Sequence, residues 1–318
     1  MSRVFVFPGQ GSQFVGMGRD LAEAFPDARE VFEEINDALS QDLTKIMFEG
    51  PDNDLNLTEN TQPALMAVSL AVAHVLSKQG NINLKDCVSY VAGHSLGEYS
   101  ALTAASGLDI ATCARLLKLR GQAMQAAVPV GYGSMAAILG LNVDDVKNIA
   151  QSVSDDETDR GICEPANDNS DGQVVVSGHK EAVDMAMEKA RGAGAKKTVA
   201  LPVSAPFHCT LMAPAAQKMA TALADTDIRP PVVPVISNVT ARPESEPADI
   251  RRLLVDQITQ MVRWRESIGW MIDDGVSEFY ELGAGKVLSG LIRRINRDVN
   301  ATAIGTPEQI ETLIKNLK

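Results

Sequence analysis

The strongest chemical signal in the chain is Gly93-His94-Ser95-Leu96-Gly97. It matches G-x-S-x-G, the pattern of a serine nucleophile carried on a sharp strand-to-helix turn. Such a turn lifts the hydroxyl clear of the sheet, and flanking glycines let backbone approach where a Cβ would clash. A serine hydroxyl becomes a useful nucleophile only when a base takes its proton. The chain has four histidines. His94 adjoins Ser95, so its ring is expected to project away from the line of attack. His74 lies mid-helix in an apolar run and reads as a packed core residue. His179 opens a helix and reads as a surface or capping residue. His208, in the irregular loop Ser204-Ala205-Pro206-Phe207-His208, is left as the general base by elimination.

An acyl intermediate also needs two N–H donors for its oxyanion. One is expected from Leu96, directly after the nucleophile, and the other from the Gly9-Gln10-Gly11 loop that follows the first strand. That loop fails as a phosphate cradle, because G-x-G-x-x-G breaks at Phe14. Gly283-Ala284-Gly285-Lys286 fails too, with Val287 where a Ser or Thr is required. Arg120 sits in the mainly apolar stretch 116–121 and needs an anionic partner. A structural salt bridge would meet that need, and so would a bidentate grip on a substrate carboxylate.

These groups require a scaffold, and the hydropathy pattern supplies one. Residues 3–7 read as a buried strand, 18–39 as a helix, and 61–77 as a helix starting near Pro63. A strand over 87–92 runs into the elbow, followed by helices over 98–106 and 109–127. The alternation predicts an α/β fold with a mainly parallel sheet. The pattern changes near Pro129. A strand over 134–141, a helix over 143–153 and an acidic loop over 154–160 come next. Strands over 162–166 and 173–177 flank a turn at 167–172, and a helix over 179–192 leads to a last strand over 197–203. The order β-α-β-β-α-β is the split unit of a ferredoxin-like α+β subdomain. The expected division is therefore a large discontinuous domain, 1–127 and 203–318, with 128–202 inserted. Strands over 232–237 and 278–282 and a helix ending at 296 resume the first pattern.

The chain has 318 residues, 45% apolar and 22% charged, with a formal net charge of −12. It is long enough to bury a core without metal or disulfide staples. The acidic balance argues against a nucleic-acid or membrane partner. The four cysteines form no C-x-x-C pair, so no metal site is expected and four reduced, mostly buried thiols are. The run Val4 to Phe7 is too short for a secretory signal, and a cytoplasmic location is expected.

Taken together, Phe7-Pro8-Gly9-Gln10-Gly11-Ser12-Gln13, the elbow with Glu98, Arg120, and Phe207-His208 followed by Leu211-Met212 resemble the malonyl-CoA:acyl carrier protein transacylases. The resemblance runs from residue 3 to about 296. It implies a hydrolase-like α/β domain with a ferredoxin-like insertion and ping-pong malonyl transfer through a malonyl-serine intermediate. Malonyl-CoA and acyl carrier protein would be the substrates, with no cofactor and a monomeric enzyme. It implies Ser95 as nucleophile, His208 as base, and Gln257 orienting His208 through a carbonyl. The Gln10 and Leu96 amides would form the oxyanion hole, and Arg120 would bind the malonyl carboxylate. His94 and Asn169 would line or support the pocket, and Phe207 resembles the malonyl-selective members. The acidic carrier would dock on Lys196, Lys197, Arg293 and Arg294. Met261 and Ala284 stand where the family usually has proline. A serine esterase or thioesterase shares the elbow but would normally offer a buried Asp or Glu to the histidine. A non-catalytic scaffold would tolerate loss of Ser95 or His208, and both are kept.

Overall fold

The computed structural model describes residues 2–155, 161–203 and 205–317. The acidic loop expected over 154–160 therefore falls mostly outside the described residues, as does Ser204. Among the described residues there are ten strands: β1 Ser2–Phe7, β2 Tyr90–Gly93, β3 Gly133–Leu139, β4 Cys163–Ser170, β5 Gln173–His179, β6 Lys197–Ala200, β7 Val235–Ile236, β8 Pro243–Glu244, β9 Val276–Leu282 and β10 Asn300–Ile304. They form a six-stranded sheet in the order β10-β9-β1-β2-β7-β8 and a separate four-stranded sheet in the order β4-β5-β3-β6. The first sheet is parallel apart from the short β7–β8 pair. The second is antiparallel throughout.

β1 lies inside the parallel sheet, and Val4 to Phe7 are all buried. Its side chains alternate between two cores. Phe5 and Phe7 face the cluster built on helix Thr58–Lys78, while Val4 and Val6 join Trp264, Ile268 and Phe279 on the other face. Helices on both faces explain why this strand reads as a continuous apolar run rather than an alternating one. A third core lies under the antiparallel sheet, where Ile138, Val174 and Val176 pack on Val146 and Val183.

Several boundaries differ from the sequence expectation. The helix expected over 18–39 is two, Arg19–Ala24 and Pro26–Leu39, with extended Phe25 between them. Pro26 has no N–H to continue the first helix and forces the preceding residue out of the helical region. The next long helix begins at Thr58, so Pro63 lies inside it rather than at its start. There it forgoes a single backbone bond. The strand expected from 87 starts at Tyr90, because Leu84–Cys87 forms a helical turn capped by Asn83. The helix expected from 98 already starts at Leu96.

The polar run 167–172 is not a turn. Asn167 to Ser170 belong to β4, and only Asp171 and Gly172 make the turn, Gly172 with φ +68°. Polar residues are tolerated in this strand where long-range partners meet them. Asp168 pairs with Arg265 at 2.9 Å, and Asn167 forms a parallel bridge with Val262. The last strand of this unit ends at Ala200, short of 203, and β7 spans two residues of the expected 232–237. Strand β10 and helix Pro307–Leu317 close the chain and were not anticipated. The four cysteines are free, three of them buried and Cys87 half-buried. Among the described residues, no helix is long and apolar enough to cross a membrane.

Candidate active site

Strand β2 delivers Ser95 into a tight turn with φ +54° and ψ −112°. A non-glycine residue held there is strained, and such strain gathers at functional positions. The flanking glycines are steric necessities. A Cβ on Gly93 would lie 1.9 Å from the Gly97 backbone, and one on Gly97 would lie 2.2 Å from the Phe7 carbonyl oxygen. Asn238 clamps the turn from outside. Its Oδ1 accepts from the Ser95 amide at 2.7 Å, and its Nδ2 donates to the Gly93 carbonyl at 2.7 Å.

His208 also has a positive φ, +58°, and is buried. Its Nε2 lies 2.8 Å from Ser95 Oγ, and its Nδ1 lies 2.8 Å from the backbone carbonyl oxygen of Gln257. A carbonyl only accepts, so Nδ1 carries the proton and Nε2 turns its lone pair to the serine. Burial, reinforced by the Arg120 charge, pushes the imidazole pKa down to about 3. The ring is therefore neutral near pH 7, the form a general base needs.

Arg120 is 1% exposed. Its Nη1 donates to Gln62 Oε1 at 2.9 Å, and its Nη2 donates to Gln257 Oε1 at 2.8 Å and to Ser95 Oγ at 3.1 Å. The guanidinium sits 5.8 Å from the Tyr99 ring centroid, and its Nε has no partner. Among the described residues no carboxylate lies within ion-pair distance of it. Of the two readings of this residue, the structural salt bridge is not made. A buried cation held only by neutral oxygens is poised for an anion.

A cavity of about 230 Å³ opens above these groups. Ser95, His208, Arg120 and His94 form its polar floor, and Met124, Met135, Leu201 and Phe207 give it an apolar wall. Both sheets contribute: Gln10 and Ser95 follow β1 and β2 of the parallel sheet, while Met135 comes from β3 and Asn167 from β4 of the antiparallel one. Gln10 and Leu96 border the cavity beside Ser95. The Leu96 amide opens helix Leu96–Ala104, where first-turn N–H groups have no acceptor within the helix. His94 turns its Nε2 to Asn169 Oδ1 at 2.8 Å and packs against Trp264. Burial lowers its pKa. Asn169 thus supports the pocket through His94 and does not itself line it.

The four basic residues lie outside the cavity. Lys196, Lys197, Arg293 and Arg294 are exposed. Leu139 on β3 is in register with both Gln173 and Lys197, and Arg294 donates to Gln173 Oε1 at 2.7 Å. Lys197 and Arg294 therefore share one end of the antiparallel sheet, four residues along β3 from cavity-lining Met135. Arg293 turns the other way and donates to the Ala301 carbonyl on β10.

Two histidine readings can now be judged. His179 occupies the capping position of helix Lys180–Gly192 and accepts from the Ile162 amide instead of capping. His74 is half-exposed rather than a core residue. It faces Asp27 and Glu30, with ligand atoms within 4.8 Å of one another, about 18 Å along its helix from Gln62. Sequence reasoning missed Asn238, Gln62, Asn167 and the role of Glu98. For Gln62 and Glu98 a signal existed, since each is a polar residue in a helix that is otherwise largely apolar.

Residues 4–316 match the model of the acyl transferase domain family. The chain belongs to that family. It is 44% identical over 319 residues to the malonyl CoA-acyl carrier protein transacylase of Bacillus subtilis, covering 100% of this chain and 98% of that protein. The crystal structure of an acyl-carrier-protein-S-malonyltransferase from Bartonella henselae superposes with a TM-score of 0.96 at 53% identity, over 100% of this chain and 99% of the other. A malonyl-transacylase solved in complex with a type II PKS acyl-carrier protein superposes with a TM-score of 0.94 at 41% identity, over 99% and 100%.

Proposed function

We propose that this enzyme is a malonyl-CoA:acyl carrier protein S-malonyltransferase that works through a malonyl-Ser95 ester. His208 Nε2 takes the Ser95 proton as Oγ bonds to the thioester carbon. The oxyanion so formed is held by the Gln10 and Leu96 amides. Its collapse breaks the C–S bond, and His208 returns the proton to the departing CoA sulfur. In the second half, the carrier's phosphopantetheine thiol gives His208 its proton and attacks the ester. Ser95 leaves as the alkoxide and is reprotonated. Atoms and charges balance with these residues alone, so the reaction as written calls on no metal or redox cofactor.

The observation that carries this reading is Arg120, buried, unpaired with any carboxylate among the described residues, and 3.1 Å from Ser95 Oγ. A malonyl group esterified to Ser95 would place its free carboxylate beside that guanidinium. The backbone tether on His208 favours a transferase over the esterase alternative, in which a carboxylate would be expected behind the base. The finer fold reading belongs here too, a hydrolase-like domain of 1–127 and 203–318 with a ferredoxin-like insertion of 128–202. The strand order β4-β5-β3-β6 supports it. Monomeric state, a cytoplasmic setting, and carrier docking on Lys196, Lys197, Arg293 and Arg294 complete the proposal. Its test is partitioning of the isolated acyl-enzyme. Offered carrier protein and water together, the malonyl group should pass to the carrier thiol. Release chiefly as free malonate would make the protein a hydrolase.

A further inference from the structure

Behind the dyad and Arg120 lies a second layer of polar residues that the reaction above does not use. Glu98, one turn into the elbow helix, is 4% exposed and pairs with no cation among the described residues. Its Oε2 accepts from Gln257 Nε2 at 2.7 Å and from the Asn238 amide at 3.0 Å. Gln257 Nε2 also donates to the Ser95 carbonyl at 3.1 Å. The other end of the same side-chain amide, Oε1, accepts from Arg120 Nη2. Gln257 thus does two separate jobs. Its backbone carbonyl tethers His208, and its side chain bridges Glu98 to Arg120.

The polarity of that bridge is forced. A guanidinium only donates, so the end of the Gln257 amide that faces Arg120 must be oxygen. The NH₂ end must then face acceptors, which are Glu98 Oε2, the Ser95 carbonyl and, at 3.4 Å, Asn238 Oδ1. Take Glu98 away and the amide loses its closest anchor. It can then shift or flip, and a flip sets its NH₂ against Arg120. Any effect passed on through Ser95 is common to all substrates, and a substrate that grips Arg120 feels a further one.

We infer that Glu98 is a positioning residue for acyl selectivity, acting through the Gln257 side chain to hold Arg120 where a substrate carboxylate can reach it. What matters is its accepting oxygen rather than its charge. Burial raises the Glu98 pKa to about 7, so ionised and protonated forms coexist near neutrality, and Oε2 can accept in both. The inference rests on the malonyl reading of Arg120.

The test is the ratio of malonyl to acetyl acylation of Ser95, measured on the same protein sample by intact mass. A ratio cancels the fraction of folded enzyme, so a destabilised variant still reports. Glu98→Leu should lower the ratio roughly ten- to hundred-fold, the scale of a lost hydrogen bond to a charged group. Glu98→Gln, which keeps an acceptor, should stay within about threefold of wild type. Gln257→Leu, which keeps the backbone carbonyl, should lower the ratio as Glu98→Leu does and supplies the same readout should that variant not fold. Adding Glu98→Leu to Gln257→Leu should lower it no further, as required of residues acting in series. The inference is overturned if Glu98→Leu keeps the ratio, if Glu98→Gln falls as far as Glu98→Leu, or if the two leucine effects multiply. A wild type that does not favour malonyl over acetyl would instead remove the malonyl reading, and this inference with it.

Discussion

The two walls of the cavity are built on different principles. On the parallel-sheet side, the side chains that carry the chemistry are each held by several partners. Ser95 is clamped by Asn238, Arg120 is held by Gln62 and Gln257, and Gln257 is anchored by Glu98. On the antiparallel-sheet side, the cavity meets mainly apolar side chains such as Met135 and Leu201, with Asn167 the polar residue among them, and the basic residues Lys196 and Lys197 lie outside, exposed. Chemistry needs sub-ångström placement, which interlocking hydrogen bonds supply. A wall that only excludes water, and a rim that attracts a partner, can rely on area and charge. Mutations on the first side should therefore cost decades in rate, and mutations on the second should cost little beyond affinity.

The largest effect falls on the nucleophile. Ser95→Ala should abolish the acyl-enzyme while leaving the melting temperature close to wild type, and an adduct persisting in this variant would move the nucleophile elsewhere. His208→Ala should slow acylation by several orders of magnitude, as read by stopped-flow release of CoA. Arg120→Ala comes next and separates substrates. Malonyl transfer should fall by roughly two to four decades, the scale for breaking a buried charge pair, and acetyl transfer far less. Equal losses would reduce Arg120 to a structural residue.

How far this contrast was legible in the sequence follows from the same division. The elbow was legible because sharp turns leave glycines at fixed spacing, and His208 because only four histidines compete for its role. Arg120 could be singled out but not assigned, since its partners Gln62 and Gln257 lie 58 and 137 residues away. Asn238 left no local mark, because an asparagine after a two-residue strand reads as loop. The turn expected at 167–172 failed for a related reason. Polar residues were taken as loop, yet Asp168 is satisfied by Arg265, 97 residues on. Strand periodicity survives local reading, but long-range polar pairing does not.

The buried groups also set an acid and a base limit on stability. His208 is held neutral in the fold, so the unfolded chain binds more protons between pH about 3 and 6.5. Its contribution is present above that window and is lost as pH falls through it. Glu98 acts in the opposite sense. Its raised pKa means the fold binds more protons between about 4.5 and 7, so its contribution is present at low pH and is lost as pH rises through that window. The two offset each other over the shared range. Melting curves against pH should show His208→Asn flattening the acid side and Glu98→Gln flattening the approach to neutrality. Unchanged curves would mean neither group titrates as its burial requires.

The smallest effect belongs to the rim. Reversing the charge of Lys197 and Arg294, which share one end of the antiparallel sheet, should raise the KM for carrier protein and weaken its salt dependence. Acylation by malonyl-CoA should change little. Arg293, turned to the Ala301 carbonyl on β10, should matter less than Arg294. A double reversal that leaves the carrier KM unchanged at low salt would move the docking face elsewhere.

The most direct test of the central claim is intact-mass measurement of the wild-type enzyme mixed with malonyl-CoA, followed by peptide mapping. The account predicts one malonyl group on Ser95 that persists until carrier protein is added and then leaves. A stable adduct on any other residue, or none formed while malonyl-CoA is consumed, would contradict it.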